Sequence, residues 1–388
     1  MSSKLTAIDL FSGAGGFSLA ANNLQINVLT AIELDKQAAE TYHLNLVEKL
    51  GAQTQVFAED INTVDIDSLM RYQGLGRGEL DILLGGPPCQ GFSSHRINNA
   101  GENDPRNQLL LRYFDFVEKL RPKAFLVENV PGLLWKRHES FLNRFLELAK
   151  ENQYRVVSGG PLIMNAKDYG VPQNRRRAFI LAVRQDIAID HFQWPPKATH
   201  SKIGEQSFET ASTIFEKPSN TVLAEFRNRL VQRFDFSETE AIRCVNALKW
   251  GKKVNEDDPC NIHMTHSAEL TQLFKNTPLI GSRDESGRTL DCHKDYAGHK
   301  DVYGRIFPHT PSNTITTGCN NPSKGRFVHP WLPHGITLRH AARLQTFPDD
   351  FDFSGGTMAA ARQIGNAVPV KLGEALIAAI QSLLTTSK

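Results

Sequence analysis

Cysteine is scarce in this chain: five in 388 residues, an odd number and widely scattered. That argues against a disulfide framework and points to a reducing compartment. An excess of one charge is missing too. Lys and Arg number 44 against 42 Asp and Glu, for a net charge of +2, so a nucleic-acid partner would need a local basic surface. No apolar run reaches the length of a membrane span. Met1-Ser-Ser-Lys4 leads straight into a strand-like segment with no signal peptide. There is no internal repeat and no low-complexity tract. What is present, 40% hydrophobic and 22% charged residues, describes an ordinary globular protein. The length suits two or three domains, or one large domain carrying an inserted lobe.

The first half alternates short apolar runs with helical patterns. Strands are expected at Thr6–Phe11, Asn27–Ile32, Gln55–Ala58, Asp81–Leu84, Ala124–Val127 and Ala178–Val183. Helices are expected at Gly15–Leu24, Lys36–Leu46, Asn107–Leu120 and Glu139–Lys150. This rhythm predicts an α/β fold with a doubly wound, mostly parallel sheet. The character changes near Trp194-Pro-Pro196. From there to about Pro333 the periodicity is poor and Pro, Asn, His and Gly are frequent, which reads as a smaller inserted lobe of loops and short strands such as Asn313–Thr317. Helical patterns return at Thr337–Gln345, with Thr337 as N-cap, and at Lys371–Leu384, entered through Pro369. The expected division is 1–190, 191–354 and a returning segment 355–388.

Four segments carry candidate chemistry. Asp9-Leu-Phe-Ser-Gly-Ala-Gly-Gly-Phe17 lies on a strand-to-helix turn, where Gly13, Gly15 and Gly16 leave backbone bare for a ligand. Glu33 ends the second strand, where a carboxylate accepts from ribose hydroxyls. A dinucleotide fingerprint would have glycine where Ser18 stands, so a nucleoside without phosphates is favoured. Asp60 and Ile61, after the third strand, are placed to hold an adenine ring. Gly85-Gly86-Pro87-Pro88-Cys89-Gln90-Gly91-Phe92-Ser93 follows the fourth strand, and a lone cysteine there is either a nucleophile or a buried inert thiol. Glu128-Asn129-Val130-Pro131 ends the next strand, where the carboxylate either hydrogen-bonds a ring nitrogen or is a surface Glu at a strand end. In Gln173-Asn-Arg-Arg-Arg177, alternation puts Gln173, Arg175 and Arg177 on one face. Arg177 could reach a carbonyl oxygen and Arg175 a phosphate, or the run is a solvated basic turn.

Taken in order, these segments resemble the DNA cytosine-5 methyltransferases. Pro311–Thr317, Arg339–Phe347 and Gln363-Ile-Gly-Asn-Ala-Val-Pro369 extend the ordered match. The resemblance implies S-adenosyl-L-methionine as cofactor. It places Phe11, Ser12, Gly13, Gly15, Gly16 and Glu33 on adenosine, Asp60 and Ile61 on adenine, Pro88 beside the cofactor, and Asn366 and Val368 closing the pocket. It implies catalysis by Cys89, Glu128 and Arg177, supported by Gln173, Arg175 and Asn129. It makes 93–107 a mobile loop over the substrate and the middle lobe the reader of target sequence. The implied partner is double-stranded DNA, with a possible cognate restriction endonuclease. The implied setting is a monomer in a microbial cytoplasm, and the eight residues before Asp9 leave no room for a regulatory arm. Some relatives act on transfer RNA, which makes an RNA substrate the alternative.

No metal is expected. Cys260, His263, His266, Cys292 and His293 could be read as zinc ligands, but Cys-x-x-His-x-x-His is not a standard finger spacing. Lys249–Lys253 around Trp250 reads equally as a phosphate contact or a solvated turn.

Overall fold

A computed structural model describes residues 4–88, 108–202, 206–286 and 301–386. The chain divides into two compact units: Met1–Asn165 with Arg176–Ala198 and Val368–Lys388, and Ala166–Arg175 with Thr199–Ala367. The crossings therefore fall at 198/199 and 367/368, not at 190/191 and 354/355, and the second unit also holds Ala166–Arg175.

The first unit is built on an eight-stranded sheet in the order β3-β2-β1-β4-β5-β8-β6, with β7 also pairing β8. The strands are β1 Thr6–Leu10, β2 Asn27–Ile32, β3 Gln55–Phe57, β4 Ile82–Gly85, β5 Ala124–Asn129, β6 Tyr154–Val156, β7 Leu162–Asn165 and β8 Arg176–Arg184. Pairings from β3 through β5 are parallel, while β8 runs antiparallel to β5, β6 and β7. Every residue of β4 and β5 is buried, which is why both read as unbroken apolar runs rather than alternating ones. β6 and β7, not among the expected strands, are only partly buried, and Arg155 interrupts β6.

Helices α1 Gly16–Asn23, α2 Lys36–Tyr42, α3 Ile66–Gln73, α4 Gln108–Leu120 and α5 Glu139–Glu151 cover the sheet, and α11 Val370–Thr386 packs on α1. The stripe expected on α4 is real: Leu110, Tyr113, Phe114, Val117 and Leu120 are all buried. Phe114, Phe125 and Phe145 meet edge to face at 5.6–6.2 Å, the arrangement that ring quadrupoles favour. α3 is not among the expected helices, yet its signals are present: Asp65 caps its first turn and Gly74 ends it with φ 63°. Thr357–Thr386 is long and apolar enough to cross a membrane by composition. Its α11 portion is a core helix, with Leu372, Leu376, Ile377 and Ile380 fully buried.

The second unit departs from expectation. Its described residues contain no β-strand, only isolated bridges, and its regular elements are helices: α6 Asn220–Phe234, α7 Glu238–Ala247, α8 Ala268–Asn276, α9 Leu338–Leu344 and α10 Thr357–Asn366. Side chains of Ser219, Ser237, Ser267 and Thr337 cap four of them. The expected strand at Asn313–Thr317 is absent for a definable reason. The N–H of Ile315 donates to Gln173 Oε1, and its carbonyl accepts from Arg175 Nη1, both at 2.9 Å. Side chains thus supply the partners a ladder would have supplied.

A group of imidazoles lies at the centre of this unit. His329 stands 5.4 Å from His334 and 5.5 Å from His340, ring to ring, and His263 stacks on His334 at 4.0 Å. Burial holds His340 down at about 3 and His309 at about 4. Burial and neighbouring cations also lower His329, and His266 and His334 shift the same way. An imidazole in the unfolded chain titrates near about 6.5. Below that pH the unfolded state binds more protons than the folded one, so stability is complete above about 6.5 and is lost as pH falls. Chemical denaturation between pH 7.5 and 5.5 is expected to show the second unit losing on the order of a few kcal/mol per pH unit below 6.5. His340→Gln should flatten that slope, and a flat wild-type profile would refute the assignment.

Candidate active site

The strand order reverses beside β1: β2 and β3 lie on one side and β4 and β5 on the other. Connections leaving the carboxyl ends of β1 and β4 diverge there and open a crevice. The glycine turn follows β1, with positive φ at Phe11 (57°), Gly13 (54°) and Gly15 (92°). A Cβ on Gly16 would stand 2.5 Å from the Val368 carbonyl oxygen, and one on Gly15 would stand 2.8 Å from the Tyr42 ring. Only glycine lets this backbone come so close.

Glu33 closes the loop from beneath. Its Oε2 accepts from Gly13 N–H and its Oε1 from Asp35 N–H, both at 2.8 Å. Each oxygen keeps a second lone pair for a ligand hydroxyl. Burial pushes the Glu33 carboxyl above its usual range against the pull of these donors. Ser12 Oγ is buried and has no hydrogen-bond partner among the described residues. Ser18, which spoils the dinucleotide pattern, has a task of its own. Its hydroxyl donates to Asp9 Oδ2 at 2.6 Å, tying the end of β1 to the first turn of α1. Asp9 is pushed up to about 7, chiefly by burial and less by Glu33, while the Ser18 bond opposes the rise. Sequence reasoning missed this clasp, although a carboxylate inside an apolar strand is itself a sign that a partner exists. Asp60 Oδ1 accepts from the Asn62 N–H at 2.9 Å, and Ile61 is buried in the same core as β1 and β4.

Across the crevice, β4 ends in Gly85 and leads to Gly86, Pro87 and Pro88. Gly85 has no space for a Cβ, which would stand 2.6 Å from Tyr113. Asn129, buried at the end of β5, donates from Nδ2 to the Pro87 carbonyl at 3.3 Å. Glu128 precedes it, and its Oε1 pairs with Arg177 Nε at 2.9 Å. Both side chains are nearly buried, at 12% and 15% exposure. Glu128 Oε2 faces Gly86, where a Cβ would stand 3.2 Å away. The register Asn129↔Ala178 brings Arg177 to this end of the sheet. Cys89 and the expected loop 93–107 lie outside the described residues.

Two expectations change. Arg175 does not face a phosphate. It is fully buried in the second unit, donating to the carbonyls of Ile315, Gly365 and Ala367 at 2.9–3.0 Å. Gln173 is buried too, bonded to Leu344, Gln345 and Ile315. Both organise the second unit and leave Arg177 alone beside Glu128. Asn366 is exposed at the end of α10 in that unit, whereas Val368 touches the glycine turn.

Among the described residues, only Asp258, Cys260 and Asp352 bring candidate metal-ligand atoms within 4.8 Å of one another. A cation already sits there: the Arg339 guanidinium, which donates to Asp258 at 2.6 and 3.1 Å. His263 and His266 stack with each other and not around Cys260, and Cys292 and His293 are outside the described residues. Of the basic run, Lys249 pairs with Glu209 and Lys253 with Glu256.

The model of C-5 cytosine-specific DNA methylases matches residues 5–382. The chain belongs to that family. The type II methyltransferase M.XorII of Xanthomonas oryzae pv. oryzae is 30% identical over 376 residues, covering 95% of this chain and 82% of that one. M.AgeI of Thalassovita gelatinovora, another type II methyltransferase, is 30% identical over 440 residues, covering 97% and 99%. A solved E. coli structure, described as a prophage-encoded DNA modification methyltransferase, shares the fold at TM-score 0.67 and 24% identity, over 98% and 100% of the chains.

The crevice fits the nucleoside half of S-adenosylmethionine. It offers a carboxylate with lone pairs to spare, an orphaned hydroxyl at Ser12 and a glycine backbone with no room for side chains. Glu33→Ala is expected to weaken binding of that molecule by about 1.5–3 kcal/mol, because ligand acceptors and the anchor of Gly13 disappear together. Titration calorimetry reads this directly, and unchanged affinity would remove Glu33 from the site.

Proposed function

We propose that this enzyme methylates C5 of a cytosine flipped out of a specific double-stranded DNA sequence, through a covalent bond between Cys89 and C6. The observation that carries the reading is the Glu128–Arg177 pair, preformed at 2.9 Å beside the Gly86-Pro87-Pro88 segment that leads into Cys89. S-adenosylmethionine, held by the glycine turn, Ser12, Glu33, Asp60, Ile61 and Val368, supplies the electrophilic methyl group.

C5 of cytosine is too weak a nucleophile to take a methyl group unaided. The Cys89 thiolate forms a bond to C6, and the electron pair of the C5–C6 double bond then becomes available at C5. Glu128, having taken up a proton, donates it to N3 and Arg177 donates to O2, so charge displaced into the ring meets a donor. The methyl group supplied by the bound cofactor would then be taken up by C5, the electrons of the broken carbon–sulfur bond staying on sulfur. Loss of the C5 proton to a base re-forms the double bond and expels the thiolate. Asn129, through the Pro87 carbonyl, sets the segment that carries the nucleophile. A stacked base is out of reach, so the cytosine must leave the helix at a cost on the order of a few kcal/mol. The second unit is assigned to reading the flanking bases. The type II methyltransferases among its relatives support a restriction–modification setting in the cytoplasm.

Duplex DNA carrying 5-fluorocytosine at the target is the test. Fluorine replaces the proton that must leave, so methyl transfer proceeds and elimination stalls. A cofactor-dependent adduct should survive denaturing electrophoresis and map to the Cys89 peptide, and Cys89→Ala should form none. An adduct in that variant would move the nucleophile elsewhere. Methyl transfer to transfer RNA but not to duplex would replace the substrate.

A further inference from the structure

Directly after Glu128, Asn129 and Val130 the chain makes a short 3-10 turn, Pro131–Leu134. Its inner side is anchored, with Leu133 fully buried. Its outer side is unusual: Leu134 and Trp135 are 42% and 41% exposed, next to the exposed Lys136. The Arg137 guanidinium lies over the Trp135 ring at 4.6 Å, and its Nε is 3.0 Å from His138 Nε2. β8 touches this turn and begins with the exposed Arg176. Among the described residues, Lys136, Arg137 and Arg176 form no ion pair. The nearest acid in sequence, Glu139, opens α5, where a helix N-terminus favours a carboxylate.

Here a partly exposed indole under a stacked guanidinium stands among cations that have no carboxylate partner among the described residues. The same set suits a polyanion that carries flat rings. We propose that Trp135, Lys136 and Arg137 form a DNA-contacting corner at the rim of the active site. Trp135 packs against an unstacked base or a sugar face, and Lys136 and Arg137 hold backbone phosphates. This rests on the DNA reading above and adds a surface to it. The position follows from topology. The turn leaves the carboxyl end of β5, where Glu128 sits, so DNA presenting a base to Glu128 passes over this corner.

Binding of a mixed-sequence duplex oligonucleotide, followed by anisotropy across a salt titration, tests the proposal. Trp135→Ala is expected to weaken the duplex about tenfold. Lys136→Ala with Arg137→Ala should reduce the slope of log affinity against log salt by about 2, near one for each phosphate no longer neutralised. Calorimetric binding of S-adenosylmethionine should be unchanged in both, which also reports that they fold. Affinities within twofold of wild type with an unchanged slope would overturn the corner while leaving the activity standing. A wild type that neither binds nor methylates duplex DNA would overturn the underlying reading instead. Loss confined to a folded RNA competitor would overturn the choice of partner.

Discussion

The reversal of strand order beside β1 is the constraint on which the site depends. It forces the chain segments after β1 and β4 apart and leaves bare backbone between them. The described groups assigned to chemistry at strand ends share that rim: the glycine turn after β1, Glu33 after β2, Ile61 after β3, Pro87 and Pro88 after β4, and Glu128 at the end of β5, while Val368, just before α11, meets it at Gly16. The antiparallel β8 completes the set. A parallel neighbour of β5 would present its own carboxyl end here. β8 presents its beginning, and so the basic residue that meets Glu128 is Arg177, just before the Asn129↔Ala178 pair. The ion pair is preformed, so under the proposed mechanism the groups it holds need no rearrangement.

The second unit solves a different problem. With no strands among its described residues, many of its buried carbonyls lack ladder partners. Buried guanidinium groups serve instead. Arg305 donates to the carbonyls of Phe274, Thr277, His329 and Leu332. Arg339 joins Asp258 to the carbonyls of Pro348 and Phe351. Each offers five donors from one rigid plane, more than any other side chain can bring into a loop-rich interior. Burial draws the Arg305 pKa down to about 10, still far above neutrality, so the charge persists and the carbonyls that surround it must stay.

How far the sequence could be read follows from these two solutions. The parallel half of the sheet was legible because β1, β2, β4 and β5 leave apolar runs and each ends on a motif. β6 and β7 were not legible although they are no shorter than β3 and β4: Arg155 interrupts β6, and β7 is only partly buried. The second unit misled in a particular way. Asn313–Thr317 has strand composition, but its backbone is satisfied by Gln173 and Arg175, residues 140 and more positions away. No local pattern carries that information. The serine caps of α6, α7 and α8 were visible signals overlooked amid poor periodicity. Ser18 could be read as a departure from the dinucleotide loop, and the structure supplies its cause, a bond to Asp9 inside the turn.

Gln173, Arg175 and Arg177 show where residue type stops being informative. Strand alternation correctly puts them on one side of the chain, and the residues between them, Asn174 and Arg176, are exposed. Alternation fixes direction but not what lies in that direction. The chain passes from the second unit to the first between Arg175 and Arg176. Identical guanidinium groups two positions apart therefore meet different surroundings. One is sealed among the carbonyls of Ile315, Gly365 and Ala367, and the other meets the Glu128 carboxylate at the end of β5. A guanidinium surrounded by carbonyls with no solvent access cannot reach a substrate, whereas one that is 15% exposed beside Glu128 keeps an edge for a ligand. The boundary between units, which falls between Arg175 and Arg176, is what divides the motif's sealed arginine from the one that keeps an edge open.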